Sequence, residues 1–307
     1  MADSSSGRWI SSAVADSFEV DRRRIERRLD EICDQYLDDV SPAVAEAVRY
    51  GLKSPGKRLR PLLVLYGYRA AGGDRDASLL ACAPEVVHAY SLVHDDLPCM
   101  DDDDMRRGRP TVHKVYGSRT AILAGVAMIP LALRVIREAG RSMALAGEVV
   151  SAAAESLLSA CGESGMIGGQ LSDLEGEGSQ LTVDAMQAVH MAKTGALIMG
   201  SLRMGAIAAN ATHAQLSAIE QYGRDVGLAF QIMDDVLDVT STTSTLGKTS
   251  GRDAVLRKST YPALLGVEGA HKRARALIAD GLDRLSSQGM LTQELTQVAN
   301  FMVNRTS

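Results

Sequence analysis

Apolar residues recur at helical spacing near the start of the chain. Ile25, Leu29, Ile32, Tyr36 and Val40 follow one another by steps of four, three, four and four, with charged residues between them. This spacing places apolar side chains on one face of an α-helix, whereas a half-buried strand needs alternation with a period of two. We find no sustained alternation of that kind in the sequence. The pattern therefore predicts helices.

Prolines and glycines indicate where those helices end. None of the eight prolines lies between Pro130 and Pro262, and that stretch is rich in good helix formers and poor in aromatic residues, which favours long helices. No composition shift or fixed repeat divides the chain. We expect one all-α domain of ten or more helices at residues 18–307, after a Ser-rich tail at 1–17. The predicted breaks lie at 51–56, 72–73, 98–110, 162–169, 176–178 and 240–251.

Composition and charge exclude several classes of protein. The 307 residues are 46% hydrophobic and 23% charged with a net charge of −5, which is typical of a soluble protein and argues against nucleic-acid binding. The four cysteines form no C-x-x-C pair, so we expect reduced thiols. The N-terminus does not resemble a secretory signal. The longest apolar stretch, at 121–133, is too short to span a membrane, so we expect a cytoplasmic protein.

The strongest chemical signal is a run of aspartates. Asp95, Asp96 and the four aspartates at 101–104 place six carboxylates within ten residues. Like charges at this density repel one another unless water or cations neutralise them. Taken alone, such a run is typical of an acidic surface loop.

A second aspartate cluster changes that interpretation. Gln231, Asp234, Asp235 and Asp238 lie at i, i+3, i+4 and i+7 in an otherwise apolar segment, so a helix would place them on one face. Carboxylates pack poorly in an apolar core. They are suitable ligands for Mg²⁺, which prefers oxygen and is commonly bound by one or two carboxylates plus substrate phosphates.

Basic residues accompany both clusters. Arg and Lys side chains bind phosphate groups, so an acidic segment followed by a basic one, occurring twice, suits a magnesium-bound pyrophosphate ester better than isolated salt bridges. The segment around Lys248 resembles a nucleotide-binding loop but has Thr242 where that loop needs glycine, so ATP or GTP use is not supported. The basic residues are Lys57, Arg58, Arg60, Arg106, Arg107, Arg109, Lys248, Arg252, Arg257 and Lys258.

Taken in order, these motifs resemble the isoprenyl diphosphate synthases, a family of trans-prenyl chain-elongating enzymes. DDLPCMD at 95–101 is similar to the first aspartate-rich motif of bacterial and plant members, and DDVLD at 234–238 is similar to the second. The similarity spans roughly residues 20–305. The other matching segments are GKRLRP at 56–61, RRG at 106–108, GGQLSD at 168–173, KTG at 193–195, FQ at 230–231, GKTSGRD at 247–253 and KSTYP at 258–262.

The resemblance implies a fold and a reaction. Members of the family are all-α bundles around a deep central cavity, the isoprenoid synthase fold, and are usually homodimers. They join isopentenyl diphosphate to an allylic diphosphate, such as dimethylallyl or geranyl diphosphate, and release pyrophosphate. The implied cofactor is Mg²⁺, with three ions in each active site. Val126 and Arg257 depart from residues common in the family.

The resemblance also implies roles for individual residues. The implied metal ligands are Asp95, Asp101 and Asp234, with Asp96, Asp235 and Asp238 acting directly or through water. The side chains implied to bind the allylic diphosphate are Arg106, Lys193, Lys248 and Lys258. The implied site for isopentenyl diphosphate is Lys57, Arg60, His88 and Arg107. The implied catalytic groups facing the allylic carbocation are Thr194, Gln231 and the backbone carbonyl of Lys193, and Gln170 and Asp173 would lie near the diphosphate.

Helix geometry raises one difficulty with the first motif. Asp95 and Asp101 are six residues apart, which separates them by about 240° on a straight helix. Pro98 lies between them, and we expect it to distort the chain enough to bring the two carboxylates together.

The length of the product depends on residues just before that motif. In the family, the positions four and five residues before the first aspartate, here Ser91 and Tyr90, lie where the growing prenyl chain descends. A bulky Tyr90 would stop elongation early, which favours farnesyl diphosphate (C15) as the product. Geranylgeranyl diphosphate (C20) is the alternative. More distant alternatives are a class I terpene cyclase and a non-catalytic subunit that modulates a synthase.

Overall fold

The computed structural model of the chain describes residues 12–176, 182–240 and 260–304. These residues form thirteen α-helices, one π-helical turn and two short strands. The helices that end at residues 52, 70, 95, 161, 175 and 240 do so within three residues of a predicted break, whereas the breaks at 35–42, 116–118, 142–147, 208–213 and 287–293 were not predicted. The α-helices are α1 Ser12–Gln35, α2 Pro42–Leu52, α3 Leu59–Ala70, α4 Ser78–Asp95, α5 Val112–Tyr116, α6 Ser118–Ser142, α7 Gly147–Cys161, α8 Met166–Glu175, α9 Val183–His190, α10 Ala196–Ala208, α11 His213–Thr240, α12 Tyr261–Ser287, kinked at Gly266, and α13 Gln293–Asn304.

The first helix follows its predicted stripe only in part. Ile25, Leu29 and Ile32 are buried in the core, as their spacing predicts. The helix ends at Gln35, so Tyr36 and Val40 lie beyond it, although both are partly buried and pack against the core. It begins at Ser12, so residues 12–17 of the expected tail are helical.

The centre of the fold is a close pair of apolar helices, α3 and α10. Nearly every side chain of both helices is buried, as expected for helices that are covered on all sides. Their backbones touch at two glycines, because a Cβ atom on Gly67 would collide with the carbonyl oxygen of Leu202 and one on Gly205 with that of Val64. Helices α4, α7 and α11 pack around this pair.

The only strands among the described residues form a hairpin after the first aspartate motif. Strand β1 (Met105–Arg106) pairs antiparallel with β2 (Arg109–Pro110). Arg107 and Gly108 between them both have positive φ, which is typical of a type I′ turn. The sequence pattern did not predict these strands. The hairpin places Arg106 and Arg107 beside a cavity that α4 also lines.

Helix α6 presents apolar residues to solvent as well as to the core. Its inner face packs against α4, whereas Ile122, Leu123 and Val126 are 43–53% exposed. In the described parts of the chain it is the one helix long and apolar enough to cross a membrane, and less than half of its most apolar window is buried. Helices in the core of soluble proteins satisfy the same criteria.

We predict that Gly205→Ala destabilises the protein by about 3 kcal/mol, because its new methyl group would force α10 away from the backbone of α3. Urea unfolding measures the change. The control is Gly147→Ala at the start of α7, where no atom lies near the added methyl group, and its effect should be neutral or slightly stabilising. Equal effects of the two substitutions would contradict this packing.

Candidate active site

The first aspartate motif begins at the last residue of α4 and then turns back on itself. Asp95 ends the helix, and Pro98 lies in the turn that follows. The backbone N–H of Asp101 donates a hydrogen bond of 2.9 Å to the carbonyl oxygen of Asp95. This bond closes the turn and brings Asp101 back beside Asp95. The chain thus departs from helical geometry around Pro98, as expected.

The carboxyl group of Asp95 lies in a field of mixed charge. Its pKa is raised to about 6, mainly by burial, with Lys193 and Arg106 lowering the pKa and the carboxylates of Asp101 and Asp96 raising it. A charge interaction with Lys193 means that the end of α4 lies close to the segment around residue 193. The environment of Asp95 therefore makes its charged form less favourable than it is in water, and a bound cation would offset this cost.

The carboxylate of Asp96 forms an ion pair with a neighbouring arginine. It is 3% exposed, and its Oδ1 accepts a hydrogen bond of 2.6 Å from the Nε of Arg106. A second carboxylate, that of Asp103, lies 3.4 Å from the same guanidinium. Asp96 thus orients Arg106 in this structure.

Lys193 and Thr194 lie in a π-helical turn, Met191–Gly195, between α9 and α10. Such turns widen a helix locally and are frequent at functional sites. The Nζ of Lys193 lies 2.7 Å from the carboxylate of Asp173 on α8. Helix α8 can approach this closely because position 169 is glycine, and a Cβ atom there would collide with the backbone of Lys193. The Gly169 and Asp173 positions of the GGQLSD motif therefore hold the π-turn in place.

Gln170 occupies the remaining polar position of that motif. It is 7% exposed, and neither its amide nitrogen nor its amide oxygen has a hydrogen-bond partner among the residues that the structure describes. A buried amide without a partner is costly and is uncommon in native proteins. This side chain is therefore suited to bind a polar group of a ligand.

The second aspartate motif lies on the C-terminal half of α11. The π-turn packs on this helix at Gly227, whose missing side chain lets Gly195 approach. Asp234 is partly exposed, whereas Asp235 and Asp238 are 3% and 6% exposed. Asp235 accepts hydrogen bonds from Gln231 (3.4 Å) and from the backbone N–H of Tyr261 at the start of α12 (3.0 Å).

Positively charged side chains gather around His88 on α4. The pKa of Arg60 is lowered to about 10, mainly by burial; Glu85 opposes this shift and Arg107 adds to it. Burial, followed by the charges of Arg60 and Arg107, lowers the pKa of His88 well below its usual value. These groups repel one another and have lost water, so the site is suited to an anion. Lys57 lies three residues before Arg60 in the sequence, and its Nζ lies 5.1 Å from the ring centre of Phe301.

A cavity with about 470 Å³ of empty space, part of it open to solvent, adjoins this cluster. His88, Arg106 and Arg107 line it, and Arg58 and Glu85 form a buried ion pair in its wall. The cavity is thus lined both by Arg106, which is expected to bind the allylic diphosphate, and by His88 and Arg107, which are expected to bind isopentenyl diphosphate. Lys248 and Lys258, the other expected phosphate ligands, lie outside the described residues.

The residues expected to limit product length occupy different surroundings. The ring of Tyr90 is buried and packs edge-on against His94, with 5.0 Å between the ring centres. The His94 ring lies 3.1 Å from the carbonyl oxygen of Ile122 and so ties Tyr90 to α6. Ser91 donates a hydrogen bond of 2.9 Å to the carbonyl oxygen of His88 and is satisfied within α4.

The comparisons with known proteins agree with this geometry. The polyprenyl synthetase family model matches residues 41–298. The farnesyl diphosphate synthase of Escherichia coli (strain K12) is 45% identical over 267 residues, which cover 85% of this chain and 89% of that protein.

This chain belongs to the polyprenyl synthetase family. It is a trans-prenyltransferase, as its motifs predicted, and the family is magnesium-dependent. Geranylgeranyl pyrophosphate synthase 12 of Arabidopsis thaliana is 40% identical over 247 residues, covering 79% of this chain and 68% of that protein.

Solved structures of similar proteins confirm the all-α isoprenoid synthase fold. An FPP/GFPP synthase from Zymomonas mobilis has a TM-score of 0.82 at 33% identity and covers 94% of this chain and 100% of its own. A geranyltransferase from Helicobacter pylori, complexed with magnesium and isoprenyl diphosphate, has a TM-score of 0.79 at 30% identity, covering 96% and 98%.

One group near the active site of this polyprenyl synthetase was missed by the sequence analysis. Ligand atoms of Asp102, Asp104 and His113 all lie within 4.8 Å of one another and could hold a metal ion. Asp104 also pairs with Lys114 at 2.7 Å, and the Nδ1 of His113 lies 3.1 Å from the hydroxyl of Thr111. The carboxylates of the 101–104 run therefore divide between this group and the turn beside Asp95.

We predict that Asp95→Asn stabilises the metal-free protein at pH 8 by about 2 kcal/mol while removing activity. The pKa of Asp95 is about 6 in the folded protein and 3.8 for an unperturbed aspartate, so the folded state binds more protons between these values. The free energy of unfolding thus falls as pH rises through that window. Urea unfolding with a chelator present, at pH 4 and pH 8, measures the difference.

The control for this substitution is Asp283→Asn on the exposed face of α12. Its effect should be the same at both pH values. If Asp95→Asn also had the same effect at pH 4 and pH 8, the burial of an uncompensated carboxylate at the end of α4 would be contradicted.

Proposed function

We propose that this enzyme condenses isopentenyl diphosphate with dimethylallyl or geranyl diphosphate to make farnesyl diphosphate, releasing pyrophosphate. The observation that carries the proposal is the pairing of two clusters of opposite charge on α4. The carboxylate group around Asp95 lies two helical turns after the cationic group around His88. Such a pair suits one substrate that needs magnesium and a second that binds as a bare diphosphate.

We propose Asp95, Asp101 and Asp234 as the ligands of three Mg²⁺ ions. Asp95 and Asp101 fit this role because the turn after α4 gathers their negative charge where a cation would relieve it. When bound, magnesium offsets the charge that develops on the departing pyrophosphate. We propose that Asp96, Asp235 and Asp238 act on the metal ions directly or through water. In this structure Asp96 binds Arg106 and Asp235 binds the start of α12.

Side chains of this chain hold the two substrates. Arg106, oriented by Asp96, and Lys193 bind the allylic diphosphate, together with Lys248 and Lys258. For Lys193 to do so, its Nζ exchanges the carboxylate of Asp173 for a phosphate oxygen. The group that we assign to isopentenyl diphosphate is Lys57, Arg60, His88 and Arg107.

The reaction needs no protein nucleophile. The allylic C–O bond breaks and its electron pair leaves with pyrophosphate. The double bond of isopentenyl diphosphate then attacks the carbocation, and the departing pyrophosphate accepts the proton lost from the neighbouring carbon. Thr194, Gln231 and the carbonyl oxygen of Lys193 face the cation with partial negative charge, and the π-turn is suited to direct that carbonyl inward.

The second candidate product is geranylgeranyl diphosphate, which the 40% identity with the Arabidopsis enzyme supports. The size and fixed position of Tyr90 favour the shorter product. Its ring is held between α4 and α6 by His94, so the ring has little freedom to give way to a longer prenyl chain.

We predict that the purified chain with Mg²⁺, isopentenyl diphosphate and dimethylallyl diphosphate makes mainly C15 product, and that Tyr90→Ala shifts the product to C20. Chromatography of the dephosphorylated prenols measures chain length. Tyr36→Leu, which removes a ring after the end of α1, is the control and should leave the product unchanged. A chelator should abolish the reaction.

Different results reject different parts of this proposal. Product formed without isopentenyl diphosphate indicates a terpene cyclase, and no product from the chain alone indicates a modulating subunit. C20 from the unaltered enzyme favours the second candidate. C15 from Tyr90→Ala rejects the role of Tyr90.

We propose further that the enzyme is a cytoplasmic homodimer joined through α6. Ile122, Leu123 and Val126 lie within about one turn of one another on α6 and are all exposed, and groups of exposed apolar side chains can mark protein interfaces. Val126, one of the departures from the family pattern, extends this group.

We predict that Val126→Arg converts the dimer to a monomer, because it places a charge within this apolar group. Light scattering after size-exclusion chromatography measures the mass. Val20→Arg on α1, at a valine of similar exposure, is the control and should remain dimeric. A monomeric unaltered protein, or one that binds uncharged phosphatidylcholine vesicles through α6, would contradict this interface.

A further inference from the structure

Glu85 and Arg58 form an ion pair that the sequence motifs did not assign to any function. The Nη1 of Arg58 lies 2.7 Å from the carboxylate of Glu85, and each side chain is 6% exposed. A buried ion pair is weak evidence for stability, because removing two charges from water costs about as much as their attraction returns. The surroundings of this pair point to positioning.

Arg58 holds the turn between α2 and α3. Its Nη2 donates hydrogen bonds to the carbonyl oxygens of Ser54 (2.8 Å) and Leu52 (3.4 Å). Its backbone has a φ of +51°, which L-residues adopt only when the surrounding structure enforces it. The side chain of Arg58 therefore ties the residue after Lys57 to the chain that precedes Lys57.

A second arginine holds the same turn from the hairpin. The Nη1 of Arg107 donates a hydrogen bond of 2.7 Å to the carbonyl oxygen of Pro55. Gly56 leaves room for this contact, since a Cβ atom there would lie 2.6 Å from the same nitrogen. The guanidinium groups of Arg58 and Arg107 thus both hold this turn. Lys57 and Arg60 follow closely in the sequence after the carbonyl groups that the two arginines bind.

The carboxylate of Glu85 interacts with several of these arginines. It lies three residues before His88 on α4 and lines the same cavity. Its charge opposes the effect of burial on Arg60 and on Arg107. The other carboxylate in the cavity wall, that of Asp96, is paired with Arg106.

We propose that Glu85 is a positioning residue for the isopentenyl diphosphate site: by fixing Arg58, it sets the turn that aligns Lys57 and Arg60 with His88 and Arg107. Glu85 acts through Arg58 and does not touch the substrate. This inference rests on the proposed function, because it assumes that the cationic cluster binds isopentenyl diphosphate.

The substitution Glu85→Gln separates positioning from simple electrostatics. Removing a negative charge beside an anion site would, by Coulomb attraction alone, tighten binding of a diphosphate. Loosening Arg58 and the turn would weaken binding instead, because the phosphate ligands lose their alignment. The two explanations therefore predict opposite signs.

We expect Glu85→Gln to raise the KM for isopentenyl diphosphate about tenfold, with kcat and the KM for the allylic diphosphate changing less than twofold. Calorimetric titration with isopentenyl diphosphate should show the same loss of affinity. Glu85→Asp keeps the charge but shortens the side chain, and should give an intermediate KM. Steady-state kinetics with each substrate varied in turn measures these values.

The matched control is Asp21→Asn. Asp21 is also buried and pairs with Arg69, at 2.6 Å, near the other end of α3. Its loss should destabilise the fold without changing the KM for isopentenyl diphosphate. If Glu85→Gln does not fold, Arg58→Lys provides the second test, since lysine keeps the charge but cannot reach Glu85 and the turn carbonyls together; the KM should again rise.

An unchanged or lowered KM in Glu85→Gln, or in Arg58→Lys if that variant is used, overturns the inference, as does an equal rise in Asp21→Asn. These results presuppose an unaltered enzyme that consumes isopentenyl diphosphate. An unaltered enzyme that makes no product from it rejects the proposed function itself, so the two failures are distinguishable.

Discussion

At two points along α4, charges that are mostly of one sign are held together in partly or fully buried positions, and the remaining features of the site depend on this constraint. Around Asp95 the carboxylates of Asp96 and Asp101 accompany Lys193 and Arg106, and around His88 the guanidiniums of four arginines accompany the carboxylate of Glu85. Burial raises the pKa of Asp95 and lowers that of Arg60 and of His88, so each cluster is destabilised in isolation. In the function that we propose, the magnesium-bound allylic diphosphate supplies the missing charge to the first cluster, and isopentenyl diphosphate supplies it to the second.

The fold maintains these clusters through close backbone contacts and paired charges. Gly67 and Gly205 let the backbones of the central helices touch. Gly169 and Gly227 let α8 and α11 pack directly against the backbone of the π-turn. Two of the side chains that we propose to bind the allylic diphosphate have a partner that orients them, Asp173 for Lys193 and Asp96 for Arg106. The site is therefore preorganised, which is the main way in which enzymes stabilise developing charge.

Much of this fold could be predicted from the sequence, because helical spacing, proline and glycine act locally. The ends of α3, α7 and α11 follow directly from the glycines and polar runs beyond them. The π-turn could not be predicted, since Met191–Gly195 has the composition of an ordinary helix and its extra residue is imposed by contacts with α8 and α11. The hairpin was missed because its turn uses Arg107 in a conformation that usually selects glycine or asparagine.

The candidate site shows the same division between local pattern and tertiary contact. Both aspartate motifs were recognisable from the sequence. Their spacing alone could not show that Asp235 accepts a hydrogen bond from the backbone at the start of α12, or that Asp96 accepts one from Arg106. A crystal structure with Mg²⁺ and an unreactive allylic diphosphate analogue tests the central claim most directly. The account predicts metal ions bridging the diphosphate to Asp95, Asp101 and Asp234. Metal bound solely at Asp102, Asp104 and His113, with Asp95 and Asp234 opening onto separate surfaces, would contradict it.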